Sequence, residues 1–212
     1  MSDFQHPQPA AGTPASPTGL LVILVGKATR LCDVVMAGRK TYEASVDFSA
    51  TSTTDDAEGE RTPVTPPRTP TRADLDAVLP AFIGVIQQRP PAYSAMKVGG
   101  RRAYDLARAG KPPELPPRPV TVHFIRVDAF DWPTAKFTID CGKGTYIRSL
   151  ARDIGAALGA GGYLTALRRT AVGRWAIEQA RTIDSLPGKM GQKDLLEAQS
   201  EPPAEAGGVR PS

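Results

Sequence analysis

The sequence predicts an α+β domain within a chain of 212 residues. Hydrophobic residues make up 41% of the chain, which is enough to build a core. Residues 119–129 and 135–141 are typical of two strands that form a hairpin. A glycine turn at Gly142 follows the second strand and leads into a helix that we predict to begin near Thr145. The ordered part of the chain therefore combines strands and helices.

The helix near Thr145 has an apolar stripe on one face and two arginines on another. Thr145 can cap this helix by accepting a hydrogen bond from a backbone N–H. Arg148 and Arg152 are four residues apart, so they share a face that we expect to point outward. That face is either a solvated surface or an anion-binding one. Apolar side chains recur at helical spacing toward the core at Ile147, Leu150, Ala151, Ile154 and Leu158.

Order is predicted to begin at Gly19. Residues 1–18 contain four prolines and no apolar period, so we expect an irregular or disordered segment. Residues 20–25 form an apolar run without polar alternation, which is typical of a strand buried on both faces. A short helix is predicted over residues 26–37, and a half-exposed strand over residues 40–48.

Residues 50–60 are polar and acidic. Asp55 and Asp56 could indicate a metal or acid–base site, but their surroundings lack the spacing of a calcium loop, and we favour a solvated loop. Four prolines in residues 63–70 predict an extended linker, after which Thr71 is predicted to cap a helix that ends near residue 79.

Charge distribution indicates nucleic acid more strongly than net charge, which is only +4. Residues 97–111 carry five positive charges against Asp105 and include Tyr104, which predicts a basic helix. Such a helix is either solvated or grips a nucleic-acid backbone while the aromatic side chain stacks on a base. A second basic cluster comprises Lys143, Arg148, Arg152, Arg168, Arg169 and Arg174. Residues 189–212 are polar and acidic, and we predict a disordered tail.

Several functional classes are excluded by composition and spacing. The two cysteines and two histidines show no metal-ligand spacing, and we expect two reduced thiols rather than a disulfide. Residues 20–25 are too short to span a bilayer, and residues 1–18 lack the features of a secretory signal. We therefore predict a cytoplasmic protein that does not bind membranes. Gly144 separates Lys143 from Thr145, so residues 142–145 are not a nucleotide-binding loop.

Six stretches, in this order, resemble the bacterial tRNA pseudouridine synthase B family and cover residues 19 to about 175. They are Gly-Leu-Leu-Val-Ile-Leu-Val-Gly-Lys-Ala-Thr-Arg-Leu at 19–31, Lys-Thr-Tyr at 40–42, Thr-Asp-Asp-Ala-Glu-Gly at 54–59, Gln-Arg-Pro-Pro-Ala-Tyr-Ser-Ala at 88–95, Gly-Thr-Tyr-Ile-Arg at 144–148 and Leu-Thr-Ala-Leu-Arg-Arg-Thr-Ala-Val-Gly at 164–173. The resemblance implies a catalytic domain over residues 19–188, built on a mixed, largely antiparallel sheet flanked by helices. It also implies that residues 97–111 are an insertion that clamps RNA.

The resemblance implies isomerisation of the T-loop uridine of tRNA (position 55) to pseudouridine. Enzymes of this family flip the uridine out of the RNA, because its reacting atoms are inaccessible in the stack. An aspartate attacks to release the base from its sugar, and the base turns and rejoins through carbon. No metal or organic cofactor is implied. The implied partner is the T-arm stem-loop of tRNA, and we expect a monomer.

The resemblance also assigns roles to particular residues. Tyr42 would stack on the flipped base and assist proton transfer, while Tyr146 and Leu167 would line the uridine pocket. Arg148 would pair with the catalytic aspartate and hold it ionised, since a guanidinium suits a carboxylate. Judged alone, Tyr42 is an ordinary strand aromatic and Leu167 an ordinary core residue. The implied RNA-binding side chains are Lys97, Arg101, Arg102, Lys143, Arg168 and Arg169.

The residues before Gly19 depart from the family pattern. The family carries its nucleophilic aspartate in a Gly-Thr-Leu-Asp-Pro loop, whereas residues 11–19 contain no carboxylate, and Ala15 or Pro14 stands in its place. We therefore expect an N-terminally incomplete domain that forms no pseudouridine and leaves Arg148 without an ionic partner. A truncated or frame-disrupted copy is the favoured explanation. The alternatives are a catalytically inactive tRNA-binding or tRNA-folding relative and a gene remnant.

Overall fold

A computed structural model describes residues 17–94, 96–98, 101–104, 113 and 115–196 of the chain. In this part, a seven-stranded sheet has the order β1-β10-β2-β9-β8-β5, with β11 paired to β10. Its pairs are antiparallel except β1 with β10, so the predicted mixed, largely antiparallel sheet is confirmed. The strands are β1 (Thr18–Gly19), β2 (Lys40–Asp47), β5 (Gly84–Gln88), β8 (Arg118–Asp131), β9 (Thr134–Cys141), β10 (Tyr163–Val172) and β11 (Trp175–Ala176).

Two short ladders and the helices lie outside this sheet. The ladders pair β3 (Ala50–Ser52) with β4 (Arg61–Pro63) and β6 (Lys97–Val98) with β7 (Arg101–Arg102). The described ranges contain α-helices α1 (Cys32–Ala37), α2 (Arg72–Val78) and α3 (Ile147–Ala157), and residues 103–104 are also helical. Five 3-10 helices of the described chain cover Gly26–Leu31, Leu79–Phe82, Ile177–Gln179, Ile183–Ser185 and Gln192–Asp194.

The core lies between one face of the sheet and α3. The predicted apolar stripe of α3 is confirmed, because Ile147, Leu150, Ala151 and Ile154 are buried and Leu158 packs against the core. From the sheet, Val46, Phe137 and Ile139 contribute to the same core, together with Leu75 of α2.

Glycine allows α3 to lie close to the chain that enters β10. A Cβ added at Gly155 would stand only 2.0 Å from the Gly161 carbonyl oxygen. The start of β10 is therefore held against the helix.

Several local predictions agree with the structure. The predicted hairpin is β8 with β9, the strand at 40–48 is β2, and the short helix at 26–37 is a 3-10 turn that continues into α1. Thr71 caps α2 by accepting from the Asp74 N–H, while the Asp74 carboxylate accepts from the Thr71 N–H over 2.8 Å. These features depend on short-range patterns that the sequence displays directly.

The predicted buried strand at residues 20–25 is wrong. The Leu20 N–H donates to the Arg169 carbonyl over 2.7 Å, but the chain leaves the sheet after that residue. Leu21, Ile23 and Val25 are 69%, 72% and 54% exposed. An apolar run indicates a preference for burial, but it does not supply the hydrogen-bonding neighbours that a strand needs.

Two helix predictions also need correction. Residues 97–98 and 101–102 form the β6–β7 ladder rather than a basic helix, residues 103–104 are helical, and residues 99–100 and 105–111 lie outside the described part. The sequence pair Gly99-Gly100 favours a hairpin over a helix. Thr145 does not cap α3, whose N-cap is Tyr146; the Thr145 hydroxyl instead donates to the Gly142 carbonyl over 3.2 Å.

Other predictions concern tails, cysteines and membranes. Both cysteines are free, with Cys32 exposed and Cys141 buried. Across the described ranges, none of the helices is long and apolar enough to cross a bilayer.

The predicted irregular segment and disordered tail fall mainly on residues 1–16 and 197–212, which lie outside the described part. The predicted domain boundaries stay predictions.

Candidate functional site

A cavity of about 340 Å³ opens beside the centre of the sheet and the start of α3. We call it the Tyr42 cavity. Four residues to which the family resemblance assigns a role line it together: Tyr42, Tyr146, Arg148 and Leu167. The remaining lining residues are Pro17, Asp56, Ala57, Glu58, Thr145, Ile147, Leu164, Thr165 and Ala166. Residues more than a hundred positions apart in sequence therefore meet in one place.

Tyr42 reaches the cavity from β2, where it lies opposite Arg169 of β10. Burial raises the pKa of Tyr42 above its ordinary value, although a hydrogen bond from Arg169 opposes this effect. The phenol therefore keeps its proton at neutral pH and can donate it. Arg169 also donates from Nε to the Leu20 carbonyl over 2.8 Å, so it links β1, β10 and Tyr42.

Arg148 is held by two separate parts of the chain. Its Nη1 lies 2.6 Å from Oδ2 of Asp56 and also donates to the Thr54 carbonyl, while its Nη2 donates to the Tyr93 carbonyl over 3.0 Å. The expectation that Arg148 lacks an ionic partner is therefore wrong. The Arg148 and Asp56 side chains are 26% and 18% exposed, so this ion pair is largely shielded from water.

Arg152 repeats this arrangement one helical turn later. Its Nη1 lies 2.7 Å from Oδ2 of Asp55, and its Nη2 donates to the Arg89 carbonyl over 2.9 Å. Asp55 adopts a positive φ of 61° and is buried. Burial raises the pKa of Asp55, against the Arg152 guanidinium, which lowers it.

The contacts of Asp55 and Asp56 contradict two predictions about this region. The predicted solvated loop is wrong for Asp55 and Asp56, and the arginine face of α3 does not simply point outward. Instead, the arginines of α3 pair with the aspartates of the loop between β3 and β4. In the sheet β10 lies beside β2, and this brings the helix and the loop together. In the described ranges, no group of three or more His, Cys, Asp or Glu side chains could hold a metal.

Tyr146 is fixed both at its backbone and at its ring. The Tyr146 N–H donates to Oε1 of Gln88 over 2.8 Å, and Nε2 of Gln88 donates to the Tyr146 carbonyl over 3.1 Å. The Arg118 guanidinium lies 5.2 Å from the centre of the Tyr146 ring. Three features of this site were not predicted from the sequence: Gln88, Arg118 and the pairing role of Asp56. Gln88 and Asp56 lie within two of the stretches that resemble the family, 88–95 and 54–59.

Of the implied RNA-binding residues, Lys143, Arg168 and Arg169 have described side chains, and these three do not line the Tyr42 cavity. Lys143 is exposed in the turn before α3, and Arg168 and Arg169 are partly exposed on β10. Lys97, Arg101 and Arg102 lie on the β6–β7 ladder. Their contact with RNA stays a prediction.

Pro17 lines the cavity next to β1, so the segment before Gly19 enters the described structure at this site. Residues 11–16, where the family pattern places its aspartate, fall outside the described part. Among the described residues, the carboxylates that line the cavity belong to Asp56 and Glu58.

Comparisons with known proteins identify the family of this chain. Residues 14–147 match the N-terminal domain of the TruB family of pseudouridylate synthases, and residues 148–199 match the tRNA pseudouridylate synthase B C-terminal domain. The tRNA pseudouridine synthase B of Thermobifida fusca is 49% identical over 189 residues, which cover 85% of this chain and 64% of that protein. The synthase B of Gluconobacter oxydans is 48% identical over 170 residues, which cover 80% of this chain and 51% of that protein.

A solved Cbf5–Nop10–Gar1 complex contains a chain with a similar fold. The TM-score is 0.51 at 28% sequence identity, over 72% of this chain and 36% of that chain. Compared with the synthases of Thermobifida fusca and Gluconobacter oxydans, this chain spans between about half and two thirds of their length. Because the N-terminal family match alone covers more than half of its residues, the chain belongs to the TruB family of pseudouridylate synthases.

Proposed function

We propose that the Tyr42 cavity binds a uridine flipped out of the T-arm stem-loop of tRNA, and that this is the site at which the family's isomerisation to pseudouridine takes place. The observation that carries the proposal is the meeting of Tyr42, Tyr146, Arg148 and Leu167 around one cavity. Its volume of about 340 Å³ suits a small ligand. The names of the relatives support tRNA as the substrate.

Isomerisation moves the glycosidic bond of uridine from N1 to C5. The N1 bond breaks, a bond from C5 to the sugar forms, C5 loses a proton and N1 gains one. Tyr42 stacks on the base, and its protonated phenol serves the proton transfer. Arg148 presents a guanidinium that can orient a carboxylate by charge-assisted hydrogen bonds. Leu167 and Tyr146 provide apolar and aromatic surface for the base.

A second candidate function is tRNA binding without catalysis. The observation that favours it is the absence of a carboxylate from residues 11–19, where the family carries its nucleophile. A covalent catalyst that lacks its nucleophile retains only binding and positioning. Both candidates use the same cavity, and they differ only in turnover.

The test measures binding and turnover with two RNA hairpins. One carries the target uridine, labelled with tritium at C5, and the other has an abasic site at the same position. The full chain should bind the uridine hairpin about fivefold or more tightly, because stacking on an aromatic side chain favours the flipped base. Equal affinity for the two hairpins would refute the proposed cavity function.

Tritium release then separates the two candidates. Release in step with turnover supports a synthase, and uridine preference without release supports a binding protein. Tyr42→Ala should reduce the uridine preference, whereas Arg126→Lys, at a residue of β8 that does not line the cavity, should leave it unchanged. Affinity for both hairpins should fall as salt rises, because Lys and Arg contacts to phosphate release counterions.

A further inference from the structure

We propose that Gln88 and Arg118 are positioning residues that together set the orientation of Tyr146, and that discrimination for a flipped uridine depends on them. This inference rests on the proposed function of the Tyr42 cavity. It concerns two residues that do not line that cavity themselves.

Gln88 and Arg118 are neighbours across the sheet. Gln88 is the last residue of β5 and Arg118 the first of β8, and they are paired in the antiparallel register. Both side chains reach the turn between β9 and α3. The edge of the sheet therefore presents two side chains side by side toward Tyr146.

Gln88 holds the backbone of Tyr146 from both sides. Gln88 is 1% exposed, and its amide accepts from the Tyr146 N–H and donates to the Tyr146 carbonyl. An ionised carboxylate could accept but not donate, so glutamate cannot reproduce this pair of bonds. Tyr146 is the N-cap of α3 and makes no side-chain capping bond. Gln88 therefore fixes the residue at which the helix begins.

Arg118 holds the ring and the preceding peptide. Its guanidinium lies 5.2 Å from the Tyr146 ring centre, and its Nη2 donates to the Gly144 carbonyl over 2.6 Å. Gly144 has a φ of 86°, which favours glycine, and a Cβ there would lie 3.2 Å from Nη2 of Arg118. A planar guanidinium can lie over a ring while it donates in its own plane, whereas a lysine ammonium cannot do both.

The two contacts leave the Tyr146 ring little freedom. Its backbone is fixed by Gln88, and one side of the ring is covered by Arg118. A ring held in place before the ligand arrives loses less conformational freedom on binding, so affinity for the base increases. Disturbing either residue should therefore weaken recognition of the base more than it weakens contacts to the RNA backbone.

The experiment compares the affinities of the uridine and abasic hairpins for the full chain and its variants. Gln88→Glu and Arg118→Lys should each lower the ratio of these affinities about threefold to tenfold. The slope of affinity against salt should stay close to that of the unmodified chain. Arg126→Lys is the matched control, because Arg126 lies on the same strand but bonds to Asp128 and Thr138.

A double-mutant cycle separates positioning from a general structural role. In a Tyr146→Ala background, Gln88→Glu and Arg118→Lys should cause no further loss of the ratio. A loss of equal size in both backgrounds would overturn the inference. If Gln88→Glu fails to fold, Arg118→Lys alone tests the inference, since the Arg118 side chain is only partly buried.

The outcomes also distinguish this inference from the proposed function. If the unmodified chain does not distinguish the two hairpins, both are overturned. If it prefers the uridine hairpin and the two variants retain that preference, only the roles of Gln88 and Arg118 are refuted.

Discussion

Arg148 and Asp56 form an ion pair on the wall of the Tyr42 cavity, with Nη1 of the arginine 2.6 Å from Oδ2 of the aspartate. The pair joins α3 to the loop between β3 and β4, 92 residues away in sequence. Arg152 and Asp55 join the same two segments one turn later. The shape of the cavity wall therefore depends on two arginines of one helix.

Asp56→Asn should destabilise the chain and weaken uridine recognition. Asparagine can still accept a hydrogen bond from Arg148, but the charge that matches the guanidinium is lost. For a charge-assisted bond that is mostly shielded from water we expect a loss of about 1–3 kcal/mol in the free energy of unfolding. Urea unfolding measures this loss. Glu58→Gln is the matched control, because Glu58 lines the same cavity and makes no ion pair within the described chain; equal losses in both variants would contradict the prediction.

Asp55→Asn should cost less stability than Asp55→Ala. Asparagine tolerates the positive φ of 61° and can still accept from Arg152, whereas alanine in this conformation costs about 1–2 kcal/mol and removes the acceptor of Arg152 Nη1. Urea unfolding of the two variants should therefore differ by at least about 1 kcal/mol. Equal stability of the two variants would show that neither the backbone nor the pair matters here.

The same aspartate should make stability depend on pH. Its pKa is raised above the ordinary 3.8 by burial, so the folded chain binds this proton more tightly than the unfolded chain. The contribution of Asp55 to the free energy of unfolding therefore falls as pH rises from 3.8 through the raised pKa. The free energy of unfolding of the unmodified chain, minus that of Asp55→Asn, should therefore decrease over the same pH range. A difference that is constant with pH would contradict the raised pKa.

Cys32 should react with thiol reagents in the folded protein, and Cys141 should not. Cys32 is exposed, whereas Cys141 is buried, and burial raises the pKa of the Cys141 thiol to about 11. Few Cys141 thiolates therefore exist at neutral pH, and the thiolate is the reactive form. Iodoacetamide labelling followed by peptide mass spectrometry should find Cys32 alone until denaturant is added. Cys32→Ser should abolish native labelling, and modification of Cys141 in the folded chain would contradict its burial.

If the chain binds tRNA without catalysis, it should release no tritium from C5-labelled uridine in tRNA. The reason is the absence of a carboxylate from residues 11–19, where the family carries its nucleophile. The measurement uses purified full chain in catalytic amounts. Multiple turnovers would show that another carboxylate attacks. Asp56→Asn and Glu58→Gln would then test the two carboxylates that line the cavity.

The sequence by itself determined the elements whose signals are local. The β8–β9 hairpin, the apolar stripe of α3 and the Thr71 cap depend on residues within a few positions of one another, so alternation, helical spacing and capping chemistry were sufficient. The identities of Tyr42, Tyr146, Arg148 and Leu167 as candidate site residues came from the resemblance, and the structure brings them together.

Only the tertiary structure decided which distant groups pair. An apolar run at residues 20–25 gave no indication that the chain leaves the sheet after Leu20, because burial requires neighbours that the run does not encode. Likewise, the sheet order places α3 against the loop of Asp55 and Asp56 and sets Gln88 beside Tyr146, 58 residues away. Contacts of this range depend on which strands lie next to one another, and that is determined by the packing of the whole sheet rather than by any local pattern.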